Sequence, residues 1–229
     1  MIRQRRQGRA TVLEGGYTMR DNVEVRTGAS GDTTVRRLIE AAERRIAEVG
    51  VDAASMRAIN ADAGVNVAAA HYHFGSKQAL VRAVLAHRMS ELAARRDRHL
   101  AALASAAEPA LDAVAGAFVR PLQEIAREKP WGRTYLNFLA ALARAAPPWR
   151  ELLAEQAALH RAAFDAELAR SLPGLPRDVL RTRFGWAALT VVTALADAAD
   201  PGDTPTVADD LVDYICGALG APVHREPRG

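Results

Sequence analysis

The segment Ala63-Gly64-Val65-Asn66-Val67-Ala68-Ala69-Ala70-His71-Tyr72-His73-Phe74-Gly75-Ser76-Lys77, AGVNVAAAHYHFGSK, decides the fold. An alanine run ends in two histidines flanking a tyrosine, on a helix too short to be stable alone. A metal site, a catalytic base and a nucleic-acid reading head all fit such a cluster. Asn66 caps a helix over about 67–73, and Ser76 caps a long one that runs past Leu92. On the N-terminal side, Ser55 caps a helix over about 56–63 with Met56, Ile59 and Ala63 inward. Gly64 ends it, since glycine takes the left-handed conformation without a Cβ clash. Further back, Val35, Leu38, Ile39, Ala42, Ile46 and Val49 form one apolar stripe, opened by Asp32 or Thr33 and closed by Gly50. Helix, glycine turn and helix on an apolar shelf is the helix-turn-helix layout, whose second helix enters the DNA major groove.

Each residue of the cluster has a place in that layout. Ile59, Val65, Ala70 and Phe74 close the core under the shelf. Ala68 and Ala69 let the backbone approach a duplex, and Ala69 suits a thymine methyl. His71, Tyr72 and His73 offer ring donors to base edges or the sugar-phosphate wall, and Lys77 with the free N–H groups of its helix start suits a phosphate. His71 and His73 stand i, i+2 on different sides of the helix, so they do not chelate one metal as an i, i+4 pair does; no metal site is expected.

Downstream, Pro109, Pro130, Pro147-Pro148, Pro173 to Pro176 and Pro201-Gly202 separate helices predicted near 110–128, 131–145, 149–171, 177–199 and 206–219. Pro121 predicts a kink or broken turn within the first of these. No segment reads as a strand, and the chain is predicted all-α. Three helices over 32–87 form a DNA-binding head, joined by a long helix to a bundle over 88–222.

Bulk properties agree. The chain has 229 residues, 49% apolar and 5% aromatic, enough for a sizeable core. No apolar run reaches the roughly 18 residues of a membrane span, and the first residues lack a signal-peptide core. The one cysteine, Cys216, excludes an intramolecular disulfide and suits the cytoplasm. Residues 1–31 carry six arginines against three acids, an excess equal to the net charge of +3 for the whole chain. They read as a flexible basic tail, either plain solvated charge or an arm attracted to phosphate or the minor groove; Met19 is a possible second translation start. Residues 223–229 read as a C-terminal tail. G-x-S-x-G, H-E-x-x-H, the Gly-Lys-Ser/Thr phosphate loop and the dinucleotide fingerprint are absent from the sequence, so no catalytic residue and no cofactor are proposed.

Ser55-Met56-Arg57-Ala58-Ile59, Ala63-Gly64-Val65-Asn66 and Tyr72-His73-Phe74-Gly75-Ser76-Lys77 resemble the TetR family of bacterial transcriptional regulators. The resemblance is specific over about 33–87 and points to the branch with Asn-x-Ala-Ala-x-x-Tyr-His-Phe-Gly-Ser-Lys. It implies that Gly64, Phe74 and Lys77 act as structural glycine, packing aromatic and phosphate-contacting lysine. It also implies that Arg57 reaches a base or phosphate. The family's usual tyrosine is His71 here and its usual small residue is Asn60, which leaves open whether His71 or Tyr72 makes the backbone contact. The DNA-binding set is therefore Arg57, Asn66, Val67, Ala68, Ala69, His71, Tyr72, His73 and Lys77.

The family resemblance further implies double-stranded operator DNA as partner, a homodimer, and a small-molecule effector held in the C-terminal bundle. Fatty acids or acyl-thioesters are among effectors known in similar regulators. Apolar helix faces supply pocket residues Phe118, Tyr135, Phe138, Leu139, Leu142, His160, Phe164 and Trp186, each also readable as plain core. The cavity is expected to be mostly apolar. Leu189, Val192, Leu195, Val207, Leu211, Ile215 and Leu219 form the expected dimer stripe. The competing expectation is a small-molecule-binding helical protein without operator binding, or an unrecognised helical enzyme.

Overall fold

The computed structural model describes residues 29–159, 161–198 and 205–223, and only the backbone of 29–32, 67–70, 205 and 206. The tail arginines, the Asp32 side chain, His160 and residues 224–229 lie outside the described residues, as do the side chains of Val67, Ala68, Ala69 and Ala70. Among the described residues every regular element is an α-helix: α1 Ala29–Val49, α2 Met56–Ala63, α3 Val67–Phe74, α4 Lys77–Ala101, α5 Leu111–Glu128, α6 Gly132–Arg144, α7 Trp149–Leu159, α8 Ala162–Ser171, α9 Arg177–Asp197 and α10 Pro205–Gly220.

The head forms because α1 buries Leu38, Ala42 and Ile46 against α2, which returns Ile59 and Ala63. A two-pronged Arg45–Asp62 pair, 2.8 and 2.9 Å, fixes the angle between α1 and α2. Of the expected α1 stripe, Val49 departs: it is 46% exposed, because α1 ends there and the chain turns away. The helix also starts earlier than Asp32, at Ala29.

α4 carries the head into the body. Its 25 residues span about 37 Å at the α-helical rise. Leu80, Val81, Val84 and Leu85 are buried near its start, Met89, Leu92 and Leu100 further on. α1 also packs against α6, so one contiguous apolar core runs from Leu38 in the head to Leu219 in α10. Within that core Arg88 of α4 meets the Glu43 carboxylate of α1 at 2.7 Å, and its guanidinium lies 4.1 Å over the Trp131 ring. Burial raises the Glu43 pKa, with Arg88 pulling the other way.

Three expectations are corrected here. The single helix over 149–171 is two, α7 and α8. α7 packs on α4 and α6, whereas α8 packs on α4, α5 and α9. At Pro121 α5 continues as one helix, so the broken-turn alternative fails; the proline withholds one N–H, and its ring is buried together with Leu122. Finally, α9 is long and apolar enough by length and composition to cross a membrane. Here its Phe184, Val191 and Leu195 are core residues, packed toward α6, α8 and α10.

Candidate nucleic-acid interface

The turn between α2 and α3 is built by local chemistry. Ser55 starts α2 by accepting a hydrogen bond from the Ala58 N–H at 3.1 Å. Gly64 ends it at φ 59°, with its N–H directed to the Ala61 and Asn60 carbonyls. The Val65 N–H donates to the Asn60 carbonyl at 3.0 Å, which closes the turn. Gly75, at φ 65°, donates to the His71 carbonyl, and the Ser76 hydroxyl accepts from the Ala79 N–H to start α4. α3 thus lies between a hydrogen-bonded glycine turn and a glycine stop, the latter bonded to its last turn.

The C-terminal end of α3 lies at the surface. Tyr72 is 67% exposed, His71 is exposed, and His73 is half-buried with its ring edge-on to Tyr72 at 5.4 Å. Arg57 on α2 and Asn66 ahead of α3 are exposed too. Phe74 packs against the core and anchors the segment from below. No group of three His, Cys, Asp or Glu side chains that could hold a metal occurs among the described residues.

Lys77 is held in a way the sequence does not suggest. Its ammonium donates to the Asp52 carbonyl at 3.4 Å and lies 5.2 Å from the centre of the Trp149 ring. Trp149, at the start of α7, donates its indole N–H to the Asp52 carboxylate at 2.9 Å. Partial burial lowers the Lys77 pKa, opposed by Asp52. The lysine that starts α4 therefore rests on an aromatic ring from the C-terminal bundle. Beside it, Ala47, Val49, Asp52, Asn137 and Arg144 are among the residues lining an open groove of about 460 Å³ between the end of α1 and α6.

The expected pocket residues divide. Phe118, Tyr135, Phe138, Leu139, Leu142 and Phe164 are all buried. Phe118, Phe164 and Phe184 form one aromatic cluster with centroids 5.0–5.8 Å apart, while Trp131, Tyr135 and Phe138 form a second. Trp186 does not join them: it is 66% exposed, because the buried face of α9 is the one carrying Phe184, Ala187 and Val191. Nor is the interior free of charge. Arg96 of α4 is buried, with its guanidinium 4.7 Å from Phe118 and 5.7 Å from Phe164.

Five residues of the expected dimer stripe are corrected in the same way. Val192, Leu195, Leu211, Ile215 and Leu219 are buried inside their own chain, and Leu189 and Val207 are half-buried. What α9 and α10 turn outward are Trp186 and Tyr214, the latter 51% exposed.

Sequence profiles match this architecture in both halves. Residues 38–84 match the bacterial regulatory proteins of the tetR family, and residues 116–218 match the tetracyclin repressor-like C-terminal domain. The chain belongs to the TetR family. No curated protein gives a significant sequence match. Solved TetR-like folds superpose over most of the chain. NalD of Pseudomonas aeruginosa, the secondary repressor of the MexAB-OprM multidrug efflux pump, is 17% identical, covering 83% of this chain and 98% of its own, with a TM-score of 0.58. GusR of Salmonella enterica is 20% identical over 82% and 96%, TM-score 0.53. PfmR, a TetR family regulator of Thermus thermophilus, is 21% identical over 80% and 97%, TM-score 0.51. At such identities the likeness is one of fold. The two profiles make this TetR-family chain a ligand-responsive DNA-binding transcriptional regulator and not an enzyme.

Sequence reading missed Arg96, the Asp52–Trp149–Lys77 contact and the Glu43–Arg88 pair. Arg96 was legible in part, since it lies four residues after buried Leu92 and four before buried Leu100. Its neighbours Arg95 and Arg98 make the stretch look like a solvated basic face instead.

Proposed function

We propose that this regulator is a cytoplasmic repressor that binds a near-palindromic operator as a homodimer and is released by a small amphiphilic effector. The exposed edge formed by His71 and Tyr72, set between the Gly64 turn and the Gly75 stop, carries the reading. In it Arg57, Asn66, Val67, Ala68, Ala69, His71, Tyr72, His73 and Lys77 face the duplex. The alanines let α3 approach closely, Tyr72 and the histidines donate to base edges or the sugar-phosphate wall, and Lys77 meets a phosphate. Residues 32–87 act as the reading head and 88–222 as the effector and dimerisation bundle.

One head covers too few base pairs for useful selectivity. A two-fold dimer places two copies of α3 about 34–36 Å apart, one DNA turn. The exposed faces of α9 and α10, with Trp186, Leu189 and Tyr214, supply the dimer surface. An effector among α4, α5, α6 and α8 shifts α4, and with it Lys77, so that the two heads no longer match the operator. Only the difference in effector affinity between the two arrangements drives release.

A gel shift with DNA flanking the protein's own gene tests the reading. Retardation of that DNA, but not of scrambled DNA of equal length, is the expected result; equal affinity for both ends it. Light scattering showing a monomer at micromolar concentration likewise removes the two-headed mechanism.

A further inference from the structure

Three arginines on α4 are buried, and they are treated differently. Arg88 is met by both oxygens of Glu43. Arg95 is ringed by Glu91, Glu124 and Glu128 at 2.8–3.2 Å. Among the described residues Arg96 has no carboxylate partner, and its buried Nε has no hydrogen-bond partner. Its compensation comes from the faces of Phe118 and Phe164. Tyr135 of α6, fully buried, also leaves its hydroxyl without a partner among the described residues, and the charges of Arg96, Glu43 and Arg88 all reach it. Burial pulls the Arg96 pKa down to about 10, still charged at neutral pH.

A buried, unpaired cation is costly, and cation–π contact offsets only part of the cost. Two unsatisfied donors of this kind in one core are rare unless something else completes them. We propose that Arg96 and Tyr135 form the anion-recognising end of the effector site, taking the carboxylate of a monocarboxylate whose apolar body packs on Phe118, Phe164 and Phe184. The proposal rests on the effector reading above and names its ligand class. The planar guanidinium edge, Nε included, matches the two oxygens of a carboxylate, and the tyrosine hydroxyl adds a third donor. Neutralising Arg96 draws on α4, the helix that begins at Lys77, so the ligand acts on the element that positions the head.

The test uses the full-length protein with octanoate, decanoate and 3-phenylpropionate, each against its primary amide, by calorimetry and thermal shift. At least one carboxylate is expected to bind tenfold or more tightly than its amide and to raise Tm. Arg96→Met is expected to raise the ligand-free Tm and to erase that preference. Tyr135→Phe, which removes only an unpartnered hydroxyl, keeps the fold and weakens carboxylate binding several-fold. If no carboxylate outbinds its amide, or if both variants retain the preference, the proposal is overturned. The operator gel shift is run alongside. Intact operator binding without carboxylate preference overturns this site and spares the regulator reading, whereas carboxylate preference without operator binding does the reverse.

Discussion

Lys77 already holds two contacts, with the Asp52 carbonyl and the Trp149 ring, that a phosphate would have to replace or share. Its loss should act on all DNA alike: Lys77→Ala is expected to weaken operator and scrambled DNA by the same factor and to flatten the salt slope by about one unit. Tyr72→Ala should instead cost about 1–3 kcal/mol on the operator and little on scrambled DNA. Titrations of both sequences at several salt concentrations separate the two, and parallel losses for both variants would remove the division of labour. Gly64 is the residue on which the geometry of α3 turns. At φ 59° an alanine is strained, and its Cβ would stand 2.6 Å from a terminal nitrogen of Arg37. The arginine end can swing away, so the backbone strain remains as the main cost. Gly64→Ala should lose about 1–2 kcal/mol in urea unfolding.

At the scale of elements, the body is fixed by two contacts between helices that propensity does not reveal. A Cβ on Gly132 would lie 2.0 Å from the Ile125 carbonyl oxygen, backbone that cannot swing aside, so α6 must leave α5 without a side chain at that point. Gly132→Ala is expected to cost about 3 kcal/mol and to lower Tm well beyond the effect of Gly64→Ala. The Glu43–Arg88 pair locks α1 of the head to α4. Removing one partner strands the other: Glu43→Ala should cost about 3–5 kcal/mol. The double change Glu43→Leu with Arg88→Met should recover most of that loss. Chemical unfolding of Glu43→Leu, Arg88→Met and the double variant checks this, and an additive double variant would show that the pair is not coupled. Caps and glycine stops set α2, α3 and the start of α4 in the sequence itself. The break between α7 and α8 has no such marker, since Leu159 and Arg161 carry no helix-breaking chemistry; the two helices pack on different neighbours.

At the scale of the whole molecule, Trp186 and Tyr214 are the exposed aromatics of α9 and α10 that a partner copy would cover in the proposed dimer. Trp186→Glu combined with Tyr214→Glu is expected to give a folded monomer by light scattering, with Tm changed little and operator affinity reduced at least tenfold. A double variant that remains dimeric would move the interface elsewhere. The sequence by itself determined that the chain is helical, where α2, α3 and α4 start, and which family it belongs to. Those features rest on bonds between residues a few positions apart, and caps, turn glycines and apolar periodicity are written locally. Only the tertiary structure decided which side of α9 and α10 is core, that Trp149 sits on Lys77, and that Arg96 is enclosed without a counter-charge among the described residues. A helical stripe says that one face is buried, not against what. In an alanine-rich helix several faces are nearly equally apolar, so the choice falls to packing between segments far apart in the chain.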